Sequence, residues 1–177
     1  MKYNFTAKSE FQEYFGRAHE MVRRAAREFV DKEIVPYVDE WEEAGEFPRE
    51  LYKKAGDVGL LGIGYPEEWG GTPGDIFFSI VAGEEIMRAG SGGIAAGLGS
   101  LHIALPPIIS RGTDEQKERF VKPVIKGEKI AALAITEPDG GSDVAGLKTT
   151  AGRRHLIVGQ QLTRQILYFF IIIDIFA

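Results

Sequence analysis

Apolar residues near the start of the chain recur every three or four positions. Met21, Val22, Ala25, Ala26, Phe29, Val30 and Ile34 form one stripe, with Arg23, Arg24, Arg27, Glu28, Asp31 and Lys32 on the other side. This spacing predicts an amphipathic helix whose mixed charges suit core packing better than a membrane surface. Pro36 stops or kinks it, and Val38 to Trp41 continues as a short second piece. Pro48 opens a further helix that runs to about Val58, with Gly59 as its stop. The stretch from Leu60 to Gly71 is rich in Gly, Pro and aromatic residues and reads as a closely packed loop. Asp75 is placed to cap a helix over Ile76 to Arg88, with Phe77, Ile80, Val81 and Ile86 inward and Gly90 ending it. Ile94 to Ile109 contains no charged residue unless His102 is protonated, which predicts a buried helix; Gly and Pro interrupt it too often for a membrane span. Thr113-Asp114-Glu115-Gln116 is a capping box opening a helix that carries Phe120, Val121 and Val124, that Pro123 bends and that Gly127 ends.

After Gly127 the periodicity changes. Ile130 to Ile135 is a short apolar run that predicts a buried strand, and Pro138 ends any ladder beyond it. Gly140, Gly141 and Ser142 follow, small enough for their backbone N–H groups to converge on an anion or a flat ligand edge, while Thr136 offers a hydroxyl at the strand's end. A plain turn uses the same residue types. A Walker-type phosphate loop does not fit: Gly141 and Gly146 have the required spacing, but Leu147 stands where Lys is needed and Lys148 comes one place late. Beyond Ala151, Leu156 to Val158 reads as a strand, and Ile166 to Ile173 as a buried strand or an exposed, association-prone edge.

With 177 residues and 44% of them hydrophobic, the chain has enough apolar material for one domain and part of another. A net charge of -5 without a basic block argues against nucleic-acid binding, and the absence of cysteine excludes disulfide and thiolate chemistry. Met1 to Phe5 lacks the apolar core of a signal peptide, so a cytoplasmic location is expected. His102 has no carboxylate near it in sequence and reads as a hydrogen-bonded core residue rather than a base.

The run Ala134-Ile135-Thr136-Glu137-Pro138-Asp139-Gly140-Gly141-Ser142-Asp143-Val144-Ala145-Gly146-Leu147-Lys148-Thr149 resembles a signature of the acyl-CoA dehydrogenases, which are flavoenzymes. Two further phrases match that family in consistent order: Leu60-Leu61-Gly62 followed by Pro66-Glu67-Glu68-Trp69-Gly70-Gly71, and Gly112-Thr113-Asp114-Glu115-Gln116-Lys117. The resemblance covers Phe11 to Ala151. It implies an α+β fold, with an all-helical N-terminal domain over 1–127 and an incomplete, partly barrel-like β-domain over 128–177. The family's C-terminal helical bundle, which carries the catalytic carboxylate and builds the usual tetramer, is expected beyond this chain, so no catalytic residue and no metal ligand is assigned within it. By the family pattern Leu133, Ala134, Ile135 and Thr136 line the isoalloxazine of FAD. Gly141 and Ser142 approach the phosphate side, with Ser142 also facing a bound acyl-CoA. Leu101, Ile103 and Leu105 become candidates for the wall of the acyl channel. Glu137 and Asp143 read as turn and cap carboxylates rather than bases. The implied activity is oxidation of an acyl-CoA to the 2,3-enoyl-CoA, with an electron-transfer flavoprotein as acceptor. Glu40 to Glu46 and Leu60 to Gly62 lean towards the long-chain branch. An acyl-CoA oxidase shares these motifs, and a non-catalytic helical module binding acyl chains or a partner is the competing expectation. The tail departs from the family: Gly159-Gln160-Gln161-Leu162-Thr163 stands where a further flavin-contacting phrase belongs.

Overall fold

The computed structural model describes residues 14–138 and 140–148, and the backbone of 169–173. Helix α1 (Arg17–Glu33) buries Ala26, Phe29 and Val30, three positions of the expected stripe, and Ile34 just after it is fully buried. Met21 and Ala25 are exposed, so the buried stripe is narrower than the apolar one. Past the break at Pro36 comes α2 (Val38–Ala44), ended by Gly45 in the left-handed region, and then α3 (Glu50–Asp57). The Leu60–Gly71 stretch folds as two short 3-10 turns, Leu60–Gly62 and Glu67–Trp69. Gly71 is required there: a Cβ on it would lie 2.4 Å from the Tyr65 carbonyl oxygen.

Helix α4 (Ile76–Met87) starts where Asp75 Oδ1 accepts the Phe77 N–H at 2.9 Å. It buries Val81, Ala82 and Glu85, not the expected Ile80, which is exposed; Phe77 and Ile86 are half-buried. The helix rotates this way because it lays Glu85 onto the arginines of α1. Glu85 is fully buried and accepts from Arg27 Nε at 3.0 Å, Arg27 Nη2 at 2.7 Å, Arg23 Nη1 at 3.3 Å and Arg88 Nη1 at 2.9 Å. Burial opposes its ionisation, but the arginines outweigh burial and hold its pKa below the usual carboxylate value.

The expected single buried helix from Ile94 is three helices: α5 (Gly92–Gly99), α6 (Leu101–Ala104) and α7 (Pro106–Arg111). Only one side is buried. Ile94, Leu98, Leu101, Ala104, Leu105 and Ile108 join the core, whereas Ala96, His102 and Ile103 are exposed. By length and composition the 92–111 segment would pass as a membrane span, yet its inner face completes the core of the helical body. The all-round apolar pattern therefore overstates burial; its outer face is apolar and uncovered.

Helix α8 (Asp114–Gln116) opens with the predicted box, Thr113 Oγ1 accepting from Gln116 N and Gln116 Oε1 from Thr113 N. A π-helical turn, Lys117–Val121, leads into α9 (Lys122–Ile125). Pro123 has no N–H to give to the preceding turn, and the wider turn relieves the clash that a proline ring brings. Gly127 then packs backbone to backbone on α3. Its φ is 69°, and a Cβ there would sit 2.0 Å from the Tyr52 carbonyl oxygen. Strand β1 (Ile130–Ala134) follows and pairs antiparallel with β2 (Phe169–Ile173), Ile130 opposite Ile173 and Ala134 opposite Phe169. Only Ala131 of β1 is buried; Ile130, Ala132, Leu133 and Ala134 are half-buried, so the strand is less enclosed than its apolar run predicts. The predicted strand at Leu156 to Val158 and the phrase at Gly159 to Thr163 lie outside the described residues.

Candidate functional site

Where β1 ends, the chain turns back on itself. Glu137 and Gly140 exchange both backbone hydrogen bonds, N–H to O at 2.9 Å and 3.1 Å, which closes a tight turn across Pro138. Asp139, at the same turn, lies outside the described residues. A 3-10 turn, Val144–Gly146, follows, with Asp143 Oδ1 accepting the Gly146 N–H at 3.2 Å. Glycine is needed at 146, because a Cβ would fall 2.5 Å from Asp143 Oδ2. The Glu137 carboxylate spans the whole loop: its Oε1 accepts the Lys148 N–H at 2.7 Å. Glu137 and Asp143 thus take the turn and cap roles expected of them, with local amide donors on their oxygens.

This scaffold leaves the polar groups of the loop's inner edge outward. Thr136, Gly141 and Ser142 are all exposed, and a Cβ built on Gly141 comes within 3.9 Å of Thr136 Cγ2, so the two residues are neighbours across the turn. Among the described residues nothing accepts the N–H of Gly141 or Ser142. A hydroxyl and free amide donors gathered at a strand's end, with half-buried Leu133, Ala134 and Ile135 beside them, suit a flat heterocycle with acceptor atoms on its edge. A hollow of about 860 Å³ lies elsewhere, lined by Trp41, Phe47, Tyr52, Ile94 and Ile130, and holds none of these residues. Among the described residues no cluster of three or more His, Asp or Glu side chains is placed to hold a metal ion.

The three expected channel residues do not share a wall. Leu101 and Leu105, four apart, point into the core, while Ile103 between them is 62% exposed. Helix α6 nevertheless packs on β1. His102 is exposed rather than a core residue, although its expected hydrogen bond is present. Its ring stacks on Tyr65, with centroids 5.7 Å apart and planes 9° from parallel, and Nδ1 lies 3.4 Å from the Tyr65 hydroxyl. That cover lowers its pKa below the ordinary imidazole value, and burial raises the pKa of the Tyr65 phenol.

Sequence reasoning missed the Glu85 cluster. The available signal was a carboxylate four residues after Val81 on an apolar helix face, together with Arg23 and Arg27 four apart on α1.

Residues 16–128 match the family model described as "Acyl-CoA dehydrogenase, N-terminal domain". The chain is 42% identical over 139 residues to the long-chain specific acyl-CoA dehydrogenase, mitochondrial, of Rattus norvegicus, covering 78% of this chain and 32% of that protein. It is 37% identical over 158 residues to the caffeyl-CoA reductase-Etf complex subunit CarC of Acetobacterium woodii, covering 84% of this chain and 40% of that protein. A crystal structure of an acyl-CoA dehydrogenase complexed with FAD, from Bacillus anthracis, superposes with a TM-score of 0.69 at 37% identity, over 77% of this chain and 23% of that one. The chain therefore spans less than half the length of these relatives. On the family match over its helical body, with the same helical fold in a solved relative, this chain belongs to the acyl-CoA dehydrogenase family.

Proposed function

We propose that this chain supplies the helical part and the first β-strand of an FAD-dependent enzyme that oxidises acyl-CoA thioesters to 2,3-enoyl-CoA. The observation that carries the reading is the group of exposed donors at the end of β1: the Thr136 hydroxyl and the N–H groups of Gly141 and Ser142, held by a turn in which the Glu137 and Asp143 carboxylates are already engaged. In this reading Leu133, Ala134, Ile135 and Thr136 hold the isoalloxazine, while Gly141 and Ser142 serve the phosphate side, with Ser142 also facing the thioester. FAD bound there supplies the hydride acceptor for the substrate's β-hydrogen, as a carboxylate removes the α-proton. Fixed donors at the edge of the ring stabilise the negative charge that builds up, and their preorganisation is what lowers the barrier.

No residue of this chain is assigned as the base. Among the described residues of the turn, Glu137 and Asp143 are the carboxylates, and each accepts a backbone N–H. Ile103 is the remaining candidate from the expected channel wall, because it is the exposed one of the three. The same reading divides the chain at residue 127 into a helical domain and an incomplete β-domain. It takes an electron-transfer flavoprotein as acceptor, in line with the Etf complex named for the Acetobacterium woodii relative. It also makes the full-length protein a cytoplasmic homo-oligomer serving fatty-acid β-oxidation.

The test is the full-length protein that contains this chain. It is expected to purify yellow, and the flavin absorbance should bleach when acyl-CoA is added without oxygen. A colourless protein, or a flavin that ignores every acyl-CoA, refutes the reading. Reoxidation by oxygen rather than by an electron-transfer flavoprotein would identify an oxidase instead.

A further inference from the structure

The hollow of about 860 Å³ between α2, α3 and the start of α5 has a chemistry of its own. Its lining combines the rings of Trp41, Phe47 and Tyr52 with the carboxylates of Glu40, Glu42 and Glu46. The rings form a row, with Trp41 and Phe47 centroids 6.3 Å apart at 43° and Phe47 and Tyr52 5.5 Å apart at 30°. Tyr37 backs the row by stacking on Trp41 at 5.4 Å. The helix behind it holds the row in place: a Cβ on Gly97 would fall 2.7 Å from Phe47 Cζ, so the backbone of α5 lies directly against the ring.

Negative charge is concentrated at this place. Residues 38–50 carry six carboxylates and one arginine, so this stretch alone has the balance of -5 that the whole chain has. That arginine, Arg49, is also the one cation of the lining, and it donates to the Glu128 carbonyl oxygen at 3.3 Å. Glu42 is fixed by the hydroxyl of buried Ser91, whose oxygen in turn caps α5 by accepting the Ile94 N–H at 3.0 Å. Glu40 and Glu46 have no hydrogen bond or ion pair among the described residues.

Aromatic faces attract cations, and this chain uses the other tryptophan that way: Lys117 and Lys122 place their ammonium groups 5.4 and 5.9 Å from the Trp69 ring. No cation among the described residues lies over Trp41, Phe47 or Tyr52. The carboxylates are not gathered closely enough to chelate a metal ion. A diffuse charge on an apolar body suits such a lining better, because the rings receive the body and the surrounding carboxylates balance the charge.

We propose that this hollow binds a small organic cation of the alkylammonium class, seated against Trp41 and Phe47 with Glu40, Glu42 and Glu46 around it. Its volume is that usual for small-molecule sites. The inference does not depend on the acyl-CoA reading, since the lining shares no residue with the donor turn.

The test is calorimetric titration of the full-length protein with choline and with 3,3-dimethyl-1-butanol, its uncharged isostere, at fixed ionic strength. Choline is expected to bind at least tenfold more tightly. Trp41→Leu should weaken choline roughly tenfold, and Trp41→Phe, which keeps a ring, should weaken it less. The double change Glu40→Gln and Glu46→Gln alters two exposed side chains without partners, so the fold should persist while choline affinity falls severalfold and the isostere is unaffected. Equal binding of choline and its isostere, no binding of choline, or a choline affinity that none of these changes moves overturns the inference. A lysine-bearing peptide that binds more than tenfold tighter than choline would make the occupant a protein segment and overturn the small-molecule assignment. Flavin content and acyl-CoA oxidation are read separately, so failure here leaves the proposed activity standing.

Discussion

Glu85 and Glu137 show two opposite uses of a carboxylate in one chain. Glu85 is fully buried and surrounded by Arg23, Arg27 and Arg88, and the cluster ties α4 to α1. Glu137 stands just past the end of β1, where its Oε1 accepts the Lys148 N–H. In this cluster of the helical body the charge is consumed inside the structure. In the turn the carboxylates satisfy the backbone locally and thereby free the hydroxyl and amides beside them. Polar groups that face outward on a rigid, self-satisfied turn are the ones available for chemistry.

Removing Glu85 should break this contrast most severely. Glu85→Ala leaves Arg88, itself almost fully buried, with only the more exposed Asp31 carboxylate at 3.3 Å, and is expected to cost about 3–5 kcal/mol in denaturant unfolding, the usual cost of breaking one side of a buried pair. The pH dependence has a definite sign. Because the folded pKa lies below the unfolded one, the stabilisation is complete above the unfolded value and disappears as the pH falls through the folded value. Glu85→Gln should flatten that acid limb. An unfolding midpoint insensitive to Glu85→Ala would show that the cluster contributes nothing net.

A smaller effect comes from the joint between the two regions. Gly127 lies between the last helix and β1 with φ at 69° and its Cα against the Tyr52 carbonyl. Gly127→Ala is expected to cost on the order of 2–4 kcal/mol, combining backbone strain with overpacking, since main chain rather than a movable side chain blocks the methyl. Gly45, also at positive φ but with open space around it, should lose far less on the same change, and comparing the two melting curves separates strain from packing.

These contrasts also show what was readable in advance. Helix starts were legible where a side chain closes the first turn, as at Asp75 and Thr113, because the cap is local chemistry. The tight turn at Pro138 and the carboxylate roles of Glu137 and Asp143 were legible for the same reason. What could not be read was orientation. Ile80 and Ile103 are as apolar as their buried neighbours, and the rotation that exposes them is decided by Glu85 reaching α1 and by Leu101 and Leu105 taking the core side. Stacking of His102 on Tyr65 likewise joins residues 37 positions apart, with no mark in either local pattern.

Within the turn, Glu137→Ala should act only locally. The Lys148 N–H loses its acceptor, an expected cost of roughly 1 kcal/mol to loop closure, seen as faster amide exchange at Lys148 with little change in the global melting temperature. Global destabilisation would mean that the loop is part of the core rather than a support for the donors.

The smallest stability effect should come from the groups given to the cofactor. Thr136 and Ser142 are exposed, and their side chains bury no core surface, so Thr136→Val and Ser142→Ala should each shift unfolding by less than about 0.5 kcal/mol. Flavin affinity of the full-length protein should fall all the same, roughly tenfold for Thr136→Val, which removes the hydroxyl donor, and less for Ser142→Ala, which keeps the backbone N–H, because a hydrogen bond that does nothing for the fold then acts on the ligand. The two readouts must separate. Loss of stability without loss of flavin affinity would make these side chains part of the scaffold and return the turn to the same class as the Glu85 cluster.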